Sequence, residues 1–160
     1  MTAGAHAGAA APATQALPAR AWIDGASRGN PGDAGFGVLF EHGDVRSEIT
    51  GFLGRTTNNV AEYSALLAAL THATREGVQM LSLYSDSELL VKQINGQYKV
   101  KAPHLIPMFL KVLQLKRAIP RLRVEHVRRE QNNEADGLAN RAIDERAPVP
   151  AWLELEARSR

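Results

Sequence analysis

The sequence contains no cysteine. A disulfide framework, a thiol nucleophile and a cysteine-ligated zinc site are therefore excluded. Any bound metal would have to be held by carboxylate oxygens or by the five histidines. Because oxygen ligands suit hard cations, Mg²⁺ is the natural candidate for such a site.

Long apolar runs and a strong excess of one charge are also lacking. No run approaches the roughly 20 apolar residues that cross a bilayer, so we expect a soluble protein without membrane contact. We further expect it to be cytoplasmic and monomeric. The formal net charge is only +2, although the pI is near 9.2. Basic residues come in pairs, which is compatible with a polyanionic partner but is also common in ordinary basic proteins. These pairs are Lys99 and Lys101, Lys116 and Arg117, Arg121 and Arg123, and Arg128 and Arg129.

The length of 160 residues, 44% of them hydrophobic, suits a single domain. Residues 1–18 are rich in alanine and lack the basic start and the leucine-rich stretch of a secretory signal. We predict a disordered tail there, with a transit peptide as the alternative, because no acid precedes Asp24. The predicted domain spans residues 19–145, and residues 146–160 form a C-terminal tail.

Short apolar runs bounded by turn-forming residues predict the strands of this domain. The first three are joined by short segments rich in turn formers, residues 30–33 and 41–44, which favours antiparallel pairing. The predicted strands are residues 20–23, 35–40, 45–53, 80–84 and 122–126.

Apolar residues at helical spacing predict the helices. Asn58 and Asn59 can cap the first helix, Ser85 to Ser87 can cap the second, and Pro107 is tolerated only in the first turn of the third. The residues that mark the longer helices are Val60, Tyr63, Leu67 and Leu70, then Ile106, Phe109, Leu110 and Leu113, then Ala135, Leu138, Ala139 and Ala142. The order of elements predicts a mixed α/β fold with a five-stranded mixed sheet flanked by about four helices.

Four acids lie at positions where this fold could bring them together. Asp24 and Asp86 follow predicted strands, whereas Glu62 and Asp136 flank the apolar stripes of helices that pack on the sheet. Each acid alone has an ordinary explanation as a turn former, a helix cap or a solvated helix residue. If the four carboxylates converge, they repel one another and raise their pKa values unless cations neutralise them. Convergence would therefore imply a metal site.

Four separate motifs, in this order, resemble the ribonuclease H type 1 family. They are IDGASRGNPG at residues 23–32, TNNVAEY at residues 57–63, YSDS at residues 84–87 and NNEADGLA at residues 132–139. The resemblance implies a ribonuclease H-like fold and an endonuclease that cuts the RNA strand of RNA/DNA hybrids, leaving 5′-phosphate and 3′-hydroxyl ends. It also implies that the four acids hold two Mg²⁺ ions, with Mn²⁺ as a possible substitute.

The resemblance also implies which residues contact the substrate. Asn30, Asn58, Asn59 and Ser87 match the family's contacts to the hybrid backbone. Amide and hydroxyl groups both donate and accept hydrogen bonds, which suits the 2′-hydroxyl that distinguishes RNA from DNA. For Asn58 and Asn59, helix capping is the alternative role. Thr57 is a candidate for holding a phosphate of the DNA strand.

The sequence departs from many members of the family in two places. It lacks the glycine-containing loop with a mobile histidine ahead of the last aspartate, and His126 is expected to be a partly buried strand residue. Arg129 matches a subgroup in which an arginine takes the place of that histidine. The helix-rich basic protrusion is also missing, because only residues 95–102 separate the two central helices.

Two other functions compete with hybrid cleavage. Another nuclease of the same superfamily, a resolvase or a variant that also cuts double-stranded RNA, would keep the four acids but differ in substrate, although Asn58 and Asn59 favour contact with RNA. A non-catalytic nucleic-acid-binding module would be expected to have lost at least one metal-binding acid. Because all four acids are present, we favour the enzyme.

Overall fold

A computed structural model describes residues 17–155 of the chain. Most of the predicted N-terminal tail and the last five residues, 156–160, lie outside the described part. The elements are β1 (Ala19–Gly29), β2 (Gly32–His42), β3 (Val45–Thr56), α1 (Asn58–Arg75), β4 (Met80–Ser85), α2 (Glu88–Ile94), α3 (Ile106–Arg117), β5 (Arg121–His126) and α4 (Asn133–Glu145). A short 3-10 turn, Arg129–Asn132, leads into α4. Among the described helices, none is long and apolar enough to cross a membrane.

The strands form one five-stranded sheet in the order β3-β2-β1-β4-β5. The first three strands are antiparallel neighbours, whereas β4 runs parallel to β1 and β5 runs parallel to β4. The parallel connections are made through helices, as a parallel pair requires. The predicted fold class, a mixed sheet that begins with three antiparallel strands and carries four helices, is confirmed.

The first two hairpins are tighter than the sequence pattern predicts. Strand β1 does not end at Ile23 but pairs with β2 as far as Gly29, opposite Gly32. The second hairpin turns through two residues only, with Gly43 in the left-handed region at φ 62°. Polar side chains interrupt the apolar pattern in these segments, but the backbone ladder continues because it needs no apolar side chain.

Helices α1 and α4 cover opposite faces of the sheet. Gly25 and its partner Phe36 face α1, where Phe36 is fully buried in the main core. The next pair along, Asp24 and Gly37, faces the other side, and Gly37 lies against the backbone of α4. This alternation places one acid of β1 on the face that α4 covers.

Burial departs from the apolar sequence pattern in two places. In α3 the buried residues are Met108 and Val112, whereas Leu110 is 58% exposed. This helix has more apolar residues than one face can hold, so periodicity could not select the buried face. Beyond α4, Leu153 and Leu155 are buried in the main core. The described domain therefore extends past the predicted boundary at residue 145.

Candidate metal-binding active site

Three carboxylates from different elements meet at one edge of the sheet. Asp24 lies in β1, Glu62 in α1 and Asp86 directly after β4, and each offers a carboxylate oxygen within 4.8 Å of the others. The parallel pairing of β1 and β4 ends at Ile23 opposite Ser85. The residue that follows each of these two in the chain is an acid, Asp24 in one case and Asp86 in the other. Asp24 therefore lies inside β1, not at a strand end as predicted, but at the end of its pairing with β4.

Glu62 reaches Asp24 because β1 and α1 are in backbone contact at Gly25. A Cβ atom at this position would lie 2.3 Å from the carbonyl carbon of Ala61 and 2.4 Å from the backbone nitrogen of Glu62. Real Cβ atoms do not approach backbone so closely, so a side chain at this position would force the helix away. The absence of a side chain at Gly25 thus sets the distance between the first two acids.

Asp136 approaches the same site from the other face of the sheet. It lies in the first turn of α4, and α4 packs closely on β2, where a Cβ at Gly37 would lie 2.6 Å from the backbone nitrogen of Ala139. Because Gly37 pairs with Asp24, this packing brings Asp136 into hydrogen-bond contact with Asp24. Asp136 is exposed and lies outside the tight group of three. The structure thus brings all four predicted acids together.

Burial and mutual repulsion raise the pKa values of two of these acids. Burial raises the pKa of Asp24 to about 9, helped by the charge of Asp86 and by the hydrogen bond and charge of Asp136. Burial also raises the pKa of Glu62 to about 7, where a hydrogen bond from Ser87 opposes the shift and Asp86 adds to it. A nearby cation would stabilise both charged forms.

The group of carboxylates fits a divalent cation. All its donors are carboxylate oxygens, the ligands that Mg²⁺ and Mn²⁺ accept, and no soft ligand is among them. An ion there would also neutralise the repulsion that raises the pKa of Asp24. The site can therefore hold a metal ion, and the residues present suit a hard one.

The raised pKa values predict how the stability of the metal-free protein depends on pH. In the folded state Asp24 and Glu62 keep their protons to about pH 9 and about pH 7, whereas in the unfolded state they lose them near their ordinary pKa values of 3.8 and 4.5. Their contribution to the free energy of unfolding is therefore fully present at low pH and is lost as pH rises through 7 and then 9. Thermal melting of the protein in chelator, at pH values between 5 and 9, measures this loss of stability.

We expect Asp24→Asn to flatten that dependence, because it removes the acid with the larger shift. Asp44→Asn is the matched control, since Asp44 is exposed in the turn that joins β2 to β3. Addition of Mg²⁺ should raise the melting temperature of the wild type most at the high end of the range. Identical pH curves for the wild type and both variants would contradict the assignment of the shifted groups.

The residues predicted to contact substrate lie at two places beside the acids. Asn30, in the turn between β1 and β2, accepts a hydrogen bond from the backbone N–H of Asn58 at 3.0 Å, and both residues are exposed. Asn59 is exposed next to them. The cap of α1 is Thr57, whose hydroxyl accepts from Val60 N–H at 3.2 Å. The capping predicted for Asn58 and Asn59 is therefore wrong, and their side chains are left for other contacts.

Ser87 lies directly after Asp86, at the start of α2. It caps α2, accepting a hydrogen bond from Leu90 N–H at 3.2 Å. Its hydroxyl also forms a hydrogen bond with Glu62. Ser87 therefore contacts the acid group itself, which the sequence pattern did not indicate.

Arg129 and His126 are less closely tied to the site. His126, at the end of β5, is exposed and not partly buried as predicted. Of the alternating residues of β5, Val124 is buried and Leu122 packs partly buried against the core, but the strand ends at His126, which stays exposed. Arg129 is exposed in the 3-10 turn and forms no ion pair or side-chain hydrogen bond with any residue between 17 and 155. The Arg129 side chain is therefore not held by any carboxylate among these residues.

Asn132, the first residue of the fourth motif, has a positioning role that the sequence pattern does not predict. It is 1% exposed and donates from Nδ2 to the backbone oxygen of Ile23 at 2.9 Å. It therefore ties the start of α4 to the residue before Asp24. Within the described residues its Oδ1 has no hydrogen-bond partner. An asparagine pair at a helix start resembles a cap, so the sequence signal for this buried contact was ambiguous.

Comparison with known proteins identifies relatives over most of the chain. A family described as reverse transcriptase-like matches residues 23–142, a range that includes all four acids. A bifunctional protein of Mycobacterium tuberculosis is 42% identical over 131 residues, which are 80% of this chain but 36% of that protein. The chain thus spans about a third of the length of this relative. A ribonuclease H of Chlorobium phaeobacteroides is 35% identical over 137 residues, 76% of this chain and 92% of that protein.

Solved structures agree with these relatives. The N-terminal ribonuclease H domain of the Mycobacterium tuberculosis protein superimposes with a TM-score of 0.78 at 37% identity, over 82% of this chain and 96% of that one. LC11-RNase H1, solved in complex with an RNA/DNA hybrid, gives a TM-score of 0.74 at 42% identity, over 79% of this chain and 97% of that one. The fold and the four motifs agree with relatives that this chain covers almost completely, the Chlorobium ribonuclease H and LC11-RNase H1. The chain therefore belongs to the ribonuclease H type 1 family.

Proposed function

We propose that this chain is an endonuclease that hydrolyses the RNA strand of RNA/DNA hybrids by two-metal-ion catalysis. The observation that carries the proposal is the group formed by Asp24, Glu62 and Asp86, whose oxygens lie within 4.8 Å of one another. Such a group is electrostatically unfavourable without cations. The hybrid bound to LC11-RNase H1, a relative at 42% identity, supports the choice of substrate.

The four acids would together hold the metal ions. Asp24 lies in the tight group and also interacts with Asp136, so it links the group of three to the fourth acid. When bound, the ions supply an activated water and stabilise the negative charge on the departing 3′ oxygen, which leaves 5′-phosphate and 3′-hydroxyl ends. The all-oxygen donor set favours Mg²⁺ and admits Mn²⁺.

Substrate would be recognised by neutral side chains at these two places beside the acids. Asn30 and Asn58 are joined by a hydrogen bond that fixes the turn against the start of α1, which leaves the side chain of Asn58 for the minor groove of the hybrid, together with Asn59. Thr57 accepts its capping bond, so its O–H still can donate to a DNA phosphate. Ser87 has one acceptor lone pair left after its bonds to Leu90 and Glu62, which suits donation by a 2′-hydroxyl.

The test compares end-labelled RNA/DNA hybrid, double-stranded RNA and single-stranded RNA, each with Mg²⁺, with Mn²⁺ and with chelator. We expect cleavage inside the RNA strand of the hybrid only, no cleavage in chelator, and products whose 5′ ends are phosphorylated. Cleavage of double-stranded RNA at a similar rate would replace the proposed substrate by a broader one. A failure to cut any of the three with either metal would refute the proposal.

We predict that Arg129→Ala lowers kcat more than it raises KM. The guanidinium stays protonated, can bind a phosphate through two hydrogen bonds and is not occupied by any acid in the described part of the chain. If it stabilises charge on the scissile phosphate, its loss should lower kcat by roughly ten- to a thousandfold. Steady-state kinetics on a short hybrid measure both constants.

Lysine at this position should rescue only part of the rate, because it cannot form the paired hydrogen bonds. Arg128→Ala is the matched control from the preceding residue. A rise in KM alone, with a weaker dependence of binding on salt, would show that Arg129 is a plain backbone-binding residue.

A further inference from the structure

A chain of hydrogen bonds leads from Asp136 to a residue at the far end of β1. Asn140, one turn after Asp136 in α4, donates from Nδ2 to the Asp136 carboxylate at 3.4 Å and to its backbone oxygen at 3.1 Å. Arg28 in turn donates from Nη2 to Oδ1 of Asn140 at 3.2 Å. Arg28 is itself held by Asp144, at 2.7 Å from Nη1. None of these three residues belongs to the predicted site.

The chemistry of Arg28 determines which end of the Asn140 amide faces Asp136. A guanidinium has donors only, so the oxygen of the amide must face Arg28. The NH₂ group then faces Asp136 and has two hydrogens, one for the carboxylate and one for the backbone oxygen. The Arg28 guanidinium, held by Asp144, therefore orients the Asn140 amide so that its NH₂ group faces the Asp136 carboxylate.

Asp136 is the acid that needs such support. The other three acids lie in the tight group, and Asp24 is buried, whereas Asp136 is exposed on the first turn of a helix. An exposed carboxylate would sample several side-chain rotamers. A donor from the next turn of the same helix favours the rotamer that faces Asp24.

We propose that Asn140, oriented by Arg28, is a positioning residue that holds the Asp136 carboxylate toward the other three acids. This inference rests on the proposed function for its catalytic consequence, but the restriction of the Asp136 side chain does not depend on it. Groups that orient metal ligands typically contribute roughly ten- to a hundredfold to activity or metal affinity. Because this contact is exposed, we expect a loss of about tenfold in kcat.

The test uses two variants of Asn140 and a control. Asn140→Ala removes both the donor and the acceptor. Asn140→Asp has the same shape and keeps an oxygen for Arg28, but it replaces the donor to Asp136 by a negative charge. Arg141→Ala is the control, since Arg141 lies on the same helix and pairs with Glu48 and Glu145 instead.

The first readout is the χ1 rotamer of Asp136 in the metal-free protein, measured by three-bond NMR couplings. We expect one rotamer in the wild type and in the control, and averaged couplings in both Asn140 variants and in Arg28→Ala. The second readout is hybrid cleavage, where kcat should fall about tenfold in both Asn140 variants with KM within about twofold of the wild type. Melting temperatures should not fall for Asn140→Ala, because alanine is the better helix former.

Each outcome decides the inference. A single Asp136 rotamer in Asn140→Ala, or an unchanged kcat in an active enzyme, would overturn it. Full activity in Asn140→Asp would show that only the bond to Arg28 matters and would also overturn it. If the wild type cuts no hybrid but the rotamer is lost in the variants, the positioning contact stands and the proposed function fails.

Discussion

Asp24→Asn should abolish hybrid cleavage while leaving the fold intact. Asp24 interacts with all three other acids, so its replacement removes a ligand and a negative charge from the group that would hold the metal. Metal ions supply several kcal/mol of charge stabilisation in reactions of this kind, so we expect a fall of roughly a thousandfold or more in kcat. Single-turnover cleavage of the hybrid in Mg²⁺, with excess enzyme, measures the chemical step.

The same substitution should not lower the melting temperature of the metal-free protein. Asparagine has nearly the same shape as aspartate, and it removes the like charge that burial and three neighbours make unfavourable. We therefore expect an unchanged or higher melting temperature in chelator and a smaller stabilisation by Mg²⁺. Asp44→Asn, on the exposed hairpin, should behave as the wild type in both assays. Cleavage by Asp24→Asn at the wild-type rate would refute the metal assignment.

Much of the fold could be predicted because its strands and helices differ clearly in apolar spacing. The order of elements and the antiparallel start followed from short runs and turn-forming residues. Boundaries were less predictable. Polar residues such as Arg28 occur inside β1, where backbone pairing with β2 continues regardless of side-chain polarity. Likewise, Leu153 and Leu155 follow two prolines in a short segment with no periodicity, so their burial depends on contacts that only the folded chain reveals.

The acids of the site could be predicted, but the residues that position them could not. Motif spacing marked Asp24, Glu62, Asp86 and Asp136, which the structure brings together. Asn140 carries no such signal, because an asparagine in a helix is ordinarily a solvated residue. Its relevance depends on Arg28, 112 residues earlier, reaching across from the sheet. Contacts between residues so distant along the chain are set by packing and not by local pattern.

Gly25→Ala should damage both the stability and the chemistry of the protein. The new methyl group would lie 2.3 Å from the carbonyl carbon of Ala61 and 2.4 Å from the backbone nitrogen of Glu62, and neither backbone atom can rotate away. Helix α1 must then move off β1, and overpacking of this kind costs about 1 to 3 kcal/mol, sometimes more. Equilibrium denaturation by urea, compared with the wild type, measures the loss.

The movement would also carry Glu62 away from Asp24, since the contact at Gly25 sets the distance between the two acids. A misplacement of about 1 Å can cost a hundredfold in rate. Cleavage assayed far below the melting temperature should therefore fall by about that factor even where the variant is fully folded.

Gly137→Ala is the matched control for the Gly25 variant. Gly137 lies in α4 beside Asp136, and apart from its chain neighbours and the nearby backbone of α4 itself no atom lies within 4 Å of a Cβ placed there. Alanine at this helical position should raise the free energy of unfolding by roughly 0.5 to 1 kcal/mol and should leave cleavage near the wild-type rate. If Gly25→Ala were as stable and as active as the Gly137 variant, β1 and α1 could not be in backbone contact. The position of Glu62 would then have to be set by its own side-chain contacts, such as the hydrogen bond from Ser87.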